Sequence, residues 1–360
     1  MLAVIMTLSL FCGCKKGGNG ENGPYKLKAT PNGEKIALVV GSMRDWLNNR
    51  TEKAQSEPYA DGSDCFHPQS VKIKWNADPE AQYYMLYIAT NKDLKDAQTY
   101  ITFGTEIEVK DLFSGYKYYY KVVIAHENEK VDSDLFSFET EQLPRTIMID
   151  SVSNTRDIGG YYTTDGKQRV KQGMVYRGAN VDTISTQGRE DFLVRYGIKT
   201  ELDLRTGNDK SPFDKDITVK HILAPYYVGT NGVNGKAYKK GLAEEIRTFA
   251  DPEAYPVYFH CAIGRDRTGT LAALLLALLG VSEDDIFIDY EASRFSVSGL
   301  TDNAPANIIC TNMTNLLDYI KNYKGADLKE STETFCKDYL GITDDEITAI
   351  RTNLLEEAKK

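Results

Sequence analysis

Long apolar runs, histidine, tryptophan and net positive charge are all scarce in this chain, and each scarcity closes a class of function. Its 360 residues include 4 histidines and 2 tryptophans, and Asp plus Glu outnumber Lys plus Arg by 52 to 43, a formal charge of −9. A deficit of that sign argues against nucleic acid as a partner, so any attraction for phosphate must be local. No apolar run reaches the roughly 20 residues that span a bilayer. His67, His126 and His221 show no metal-ligand spacing and the cysteines form no zinc pattern, so neither a metal nor a cofactor is expected. A nucleotide-binding loop is missing as well. The stretch 228–240 is glycine-rich and basic, but Gly229 and Gly235 stand one residue too far apart, and Ala237 sits where a hydroxyl must hold magnesium. It reads instead as a loop near a pocket mouth. What remains, 41% hydrophobic and 26% charged, is ordinary for globular protein and long enough for two domains.

The chemistry concentrates in residues 256–280. An apolar run at 257–259 predicts a buried strand, and 268–279 predicts a buried helix ended by Gly280. Between them lies a loop, Cys261-Ala262-Ile263-Gly264-Arg265-Asp266-Arg267, followed by Thr268. A strand-loop-helix of this kind aims backbone N–H groups and a helix N-terminus at one point, making an anion site of residues 262–268. Cys261 in such a site loses its proton easily and becomes an in-line nucleophile for phosphorus. Arg267 offers a planar fork to two phosphoryl oxygens. Gly264 lets the backbone turn close to the ligand. Thr268 can donate its hydroxyl to the cysteine sulfur, and His260 is a core residue that also orients the loop and supports the thiolate. The plain alternative is an inert buried cysteine at a helix start; His260, Gly264 and Thr268-Gly269 around it argue otherwise.

His260-Cys261-x-x-Gly264-x-Asp266-Arg267-Thr268-Gly269 resembles the signature of cysteine-dependent phosphatases, and more narrowly the bacterial branch of atypical tyrosine and phosphoinositide phosphatases. Arg265 replaces that branch's usual lysine, keeping the charge while widening the fork that can grip a second phosphate or headgroup. Three further elements are similar to the same branch: Asn154-Thr155-Arg156-Asp157-Ile-Gly159-Gly160, Gly197-Ile198 through Asp203-Leu204-Arg205, and Asp289-Tyr290-x-x-Ser293. Arg156 and Asp157 are expected to brace the site wall, and the Asp289 element to serve packing. The resemblance implies an α/β fold over 144–360, a central mostly parallel sheet flanked by helices. It also implies phosphomonoester hydrolysis through phosphocysteine on phosphorylated protein, with tyrosine or dual specificity, or on a phosphoinositide or inositol polyphosphate. The general acid stays open between Asp266 within the loop and Asp203, with Asp209 and Asp214 behind them. For Asp203 the structural alternative is a salt bridge with a catalytic-loop arginine.

Residues 1–14 resemble a bacterial lipoprotein signal, with Cys14 as the lipidated residue, so the mature protein is expected in the cell envelope, exported and tethered to the membrane. The glycine-rich segment 15–26 reads as a flexible tether. Across 27–143, strand patterns at 71–75, 83–90, 106–109, 116–125 and 135–140 suggest a β-sandwich. Leu112, Gly115, Tyr118 and Trp75 are placed as in fibronectin type III modules, with 44–69 as an irregular lead-in, and the module reads as a spacer. A Cys310–Cys336 bridge is conceivable, while Cys261 must stay a thiol to work. Two other classes compete: sulfur transfer, which the loop length and Arg267-Thr268-Gly269 disfavour, and a binding lipoprotein with an inactive phosphatase-like domain.

Overall fold

The computed structural model describes residues 27–51, 56, 68–142, 144–205, 210–225, 236–296 and 306–358. Its contacts divide the chain into one unit of residues up to 38 with 69–143, and another of 39–68 with 144–360.

The first unit is all β. Its strands are β1 (Ala29–Thr30), β2 (Lys35–Ile36), β3 (Val71–Trp75), β4 (Tyr83–Ala89), β5 (Gln98–Thr102), β6 (Glu106–Val109), β7 (Lys117–Ala125), β8 (Lys130–Asp132) and β9 (Phe136–Thr140). They form one sheet of order β1-β3-β6 and a second of order β2-β9-β7-β4-β5, with β8 beside β7. Alternation buries Val71, Ile73 and Trp75 and exposes Lys72 and Lys74. These apolar residues share one core with Leu86, Tyr120, Val122 and Phe138 of the second sheet. The strands expected from the sequence are present to within a residue or so; β5 gave no signal because neither of its faces is fully buried. The Tyr118 phenol accepts the Phe113 N–H at 2.7 Å, pinning the turn before β7.

The second unit begins with α1 (Gly41–Asn49), inside the stretch that the sequence pattern runs continuously with the sandwich. After it come β10 (Arg145–Thr146), β11 (Arg156–Asp157), β12 (Gln168–Val170), β13 (Val175–Gly178), α2 (Thr186–Glu190, prolonged by a π-turn to Arg195), β14 (Thr200–Asp203), β15 (Thr218–His221) and α3 (Lys236–Thr248). The chain then forms β16 (Val257–His260), α4 (Asp266–Leu279), α5 (Glu283–Ala292), α6 (Ala306–Lys321), α7 (Leu328–Thr334), α8 (Asp344–Leu354) and β17 (Leu355–Glu357). The main sheet has the order β10-β11-β13-β16-β14-β15. Its β13, β16, β14 and β15 are parallel, and β10 and β11 join antiparallel. Val257 and Phe259 face the core built on α4, while Tyr258 faces the one holding Phe192 and Phe213. Both faces of β16 are therefore covered, as a central parallel strand requires. Gly280 (φ 86°) ends α4, and the Ser282 hydroxyl accepts the Asp285 N–H at 3.1 Å to start α5. Cys336, in the π-turn after α7, is a free buried thiol, so the conceivable bridge to Cys310 is not made.

Replacing Tyr118 by Phe leaves the Phe113 N–H without its acceptor and is expected to cost about 1 kcal/mol of stability, read from denaturant unfolding.

Candidate active site

The loop that follows β16 is shaped by what holds its carbonyls. Asn180 Nδ2 donates to Ala262 O, Asn154 Nδ2 to Ile263 O and Arg177 Nη2 to Gly264 O, each at 2.8 Å. In a trans peptide the N–H points opposite to the carbonyl, so drawing three carbonyls outward turns the amides of Ile263, Gly264 and Arg265 toward the loop centre. Gly264 makes the turn at φ 75°, and a Cβ there would lie 2.3 Å from Gly178 O, so no other residue fits.

Cys261 lies at the base of this cradle, 3% exposed. Burial pushes its thiol up, but the Thr268 hydroxyl and amide, the Arg267 cation and the Gly264 amide outweigh burial and hold it below the ordinary value. Thr268 Oγ1 makes no geometrically complete hydrogen bond, so its effect on the sulfur is that of a nearby dipole rather than a fixed bond. Cys336 shows what burial does alone: its thiol is pushed up to about 12. Arg267 stands in the first turn of α4, with Nη1 on Leu204 O at 3.2 Å.

Beneath the cradle, His260 is fully buried, with Nε2 at 2.9 Å from Glu201 Oε1 and Nδ1 at 3.1 Å from Cys261 O. Burial opposes its charge, but Glu201 and Asp203 raise it above the ordinary histidine value. Asp203 accepts Arg205 N and Nε on one oxygen, at 3.0 and 2.8 Å, and Nη2 on the other at 2.8 Å. Burial pushes its carboxyl up, and Arg205 with His260 overcomes that and holds it below the usual range. The salt bridge expected for Asp203 thus exists, with Arg205 rather than a loop arginine as partner. Arg205 also grips Asp182 at 2.6 and 2.8 Å. Glu201, Asp203 and His260 bring possible metal ligands together. Their carboxylates are already engaged, Glu201 also accepting the Ser211 hydroxyl at 2.5 Å.

Asp266 accepts Arg265 Nε at 3.0 Å and the Tyr290 hydroxyl at 3.1 Å on one oxygen, and Arg265 Nη2 at 3.2 Å on the other. Its side chain is 18% exposed, against 1% for Asp203. Arg265 is only 4% exposed, and its fork is paired with Asp266. Asp214 is drawn to Ser211 N at 3.1 Å and lies 4.0 Å from His221. Asp209, Cys14 and most of the glycine-rich loop lie outside the described residues.

Arg156 and Asp157 are braces, as expected. Asp157 takes the amides of Gly159 and Gly173 at 2.7 and 2.6 Å and Arg145 at 2.7 Å. Arg156 Nε meets Asp289 Oδ1 at 2.9 Å, its Nη2 meets Ser293 Oγ at 3.0 Å, and Arg177 Nη1 takes the other Asp289 oxygen. Arg205 was legible in the sequence only as part of a motif, while Arg177, Asn180, Glu201 and Asp182 were passed over. Arg177 carried a signal: a charged residue inside the uniformly buried strand β13 demands a partner.

Cys261 should react with iodoacetamide down to a pH below that of an ordinary cysteine, the rate falling as pH drops through its lowered value. Arg267→Ala and Thr268→Ala should move that midpoint upward, since burial then prevails; a mass-spectrometric rate–pH profile of the Cys261 peptide checks this.

A profile of the Tyrosine phosphatase family matches residues 147–356. A Cupriavidus necator protein named as a tyrosine-protein phosphatase is 28% identical over 215 residues, covering 51% of this chain and 77% of that one. A tyrosine-protein phosphatase of Nostoc commune is 28% identical over 137 residues, covering 32% of this chain and 46% of that one. Two solved structures of the catalytic core of Siw14 show weak likeness. The S. cerevisiae PP-IP phosphatase core in complex with citrate is 18% identical, with a TM-score of 0.28, covering 39% of this chain and 83% of that one. The other is 16% identical, with a TM-score of 0.31, covering 47% and 90%. At those scores neither likeness bears on substrate. The family match spans more than half of the chain and encloses every residue of the cradle, so this chain belongs to the tyrosine phosphatase family.

Proposed function

We propose that the protein hydrolyses phosphotyrosine in proteins through a phosphocysteine intermediate, and that Asp266 is its general acid. The observation that carries this reading is a buried thiol at the base of a loop whose carbonyls are drawn outward by Asn180, Asn154 and Arg177, with Arg267 in the first turn of α4 beside it. The Cys261 thiolate attacks phosphorus while the loop amides and Arg267 hold the equatorial oxygens. The P–O bond breaks and the leaving oxygen takes a proton from Asp266. Water then attacks phosphorus, Asp266 takes its proton, and the P–S bond breaks to return the thiolate. Asp266 suits this role because it opens α4 directly after the loop and keeps part of its carboxyl exposed, whereas Asp203 is sealed under Arg205. The sequence also holds no Asp or Glu between Asp216 and Glu244, so the chain leading toward α3 offers no rival. The commitment of Arg265 to Asp266 removes the grip on a second phosphate that would favour a phosphoinositide or inositol polyphosphate.

The proposal extends to the rest of the chain. Residues 1–14 act as a lipoprotein signal, Cys14 carries the lipid in the cell envelope, and the β unit is a fibronectin type III-like spacer. In support, Trp75 and Leu112 are buried and Tyr118 closes on the Phe113 amide. Incorporation of a labelled fatty acid should be lost in Cys14→Ala; incorporation that persists would exclude this anchor.

Phosphate release without metal and with reductant should be fastest from a phosphotyrosine peptide, slower from a phosphoinositide or inositol polyphosphate, and absent in Cys261→Ser. Release that survives in Cys261→Ser refutes the mechanism. Asp266→Asn should lose about 10²-fold or more on phenyl phosphate and far less on an activated aryl phosphate. If Asp203→Asn shows that split instead, the acid is Asp203.

A further inference from the structure

Between β2 and β3, the described stretch 41–51 together with Ser56 contacts α5 and the turn that follows it. We propose that it is a strap, and that Trp46 and Arg50 are positioning residues for the phosphate loop, acting through α5. The segment lies outside the 147–356 stretch that the family profile covers. Met43 and Trp46, three residues apart on α1, bury one face of that helix, at 3% and 0% exposure. The Trp46 ring sits 5.2 Å from Phe295, in the turn that follows α5. One turn on, the Arg50 guanidinium lies 5.6 Å from the Trp46 ring centre and gives Nη1 to Asp284 at 2.8 Å. The amide of Ser56, itself fully buried, reaches Glu291 Oε2 at 3.2 Å. The strap therefore touches α5 at its beginning, at its end and just beyond.

The residues of α5 between those contacts are the ones that hold the loop. Asp289 binds Arg177, which holds Gly264 O; Tyr290 binds Asp266; and Ser293, just past the helix, binds Arg156. A shift of α5 would be passed to the amide ring and to the carboxyl of Asp266 together. Displacement of a catalytic group by 1 Å costs up to about 10²-fold in rate. Loosening the strap should therefore lower kcat and let burial raise the Cys261 thiol.

This inference rests on the reading of the loop as the catalytic centre, and the test uses the full chain. In a Trp75→Phe background Trp46 is the only tryptophan left, so its emission should be blue-shifted and shielded from acrylamide. Trp46→Ala should raise the pH midpoint of Cys261 alkylation and lower kcat on phenyl phosphate by about tenfold or more with KM little changed; Trp46→Phe should restore both. Arg50→Glu, which sets a second carboxylate against Asp284, should lower kcat, and the added Asp284→Arg should recover it. Water-exposed Trp46 emission overturns the strap, as does a folded Trp46→Ala or Arg50→Glu protein with wild-type midpoint and kcat. The emission and alkylation readings need no turnover. A wild-type chain that releases no phosphate, yet whose midpoint rises in Trp46→Ala, refutes the catalytic reading and upholds the strap.

Discussion

The second unit is organised around a buried thiol held below the ordinary value where burial alone would raise it. Cys261 and Cys336 are almost equally inaccessible, yet the first is held below the ordinary thiol value and the second is pushed up to about 12. The difference is the set of donors around Cys261: amides, a hydroxyl and a guanidinium, set in place before any substrate arrives. A preorganised ring of this kind stabilises a thiolate and an incoming phosphoryl group by the same dipoles.

That ring exists only because the loop's carbonyls are held from outside. The holders, Asn154, Arg177 and Asn180, come from before, within and after β13, far in sequence from the loop. Burial and its neighbour Arg156 push the Arg177 cation down to about 10, and Asp289 is the anion that makes the pair of arginines tolerable. Losing one member of such a buried set costs about 3–5 kcal/mol, because the remaining charges stay uncompensated. The same aspartate anchors the loop to α5, so the stability of the unit and the geometry of its site depend on one cluster.

The carboxylates divide by their surroundings. Asp203 keeps its charge because Arg205 covers both of its oxygens and His260 stands behind it. It is a fixed anion that, with Glu201, raises His260 above the ordinary histidine value, and His260 in turn meets the carbonyl of Cys261. Asp266 stands beside the cradle, where its carboxyl meets a tyrosine hydroxyl and the Arg265 guanidinium.

Local pattern was enough to determine much of this protein. Alternation at 71–75 and the apolar run at 257–259 specified β3 and β16, Gly280 and Ser282 specified the boundary of α4 and α5, and the order Cys261 to Thr268 specified an anion loop, because each depends on neighbours within a few residues. Weakly patterned elements such as β5 and α1 escaped, since α1 buries a single short face against residues about 250 positions away. Tertiary structure alone decided that Arg177, Asn154 and Asn180 turn the loop amides inward and that Asp182 and Asp203 together hold Arg205. Sequence spacing sets which groups can enter a loop; which of them face the anion depends on partners brought in by the sheet and by α5, and that pairing is long-range.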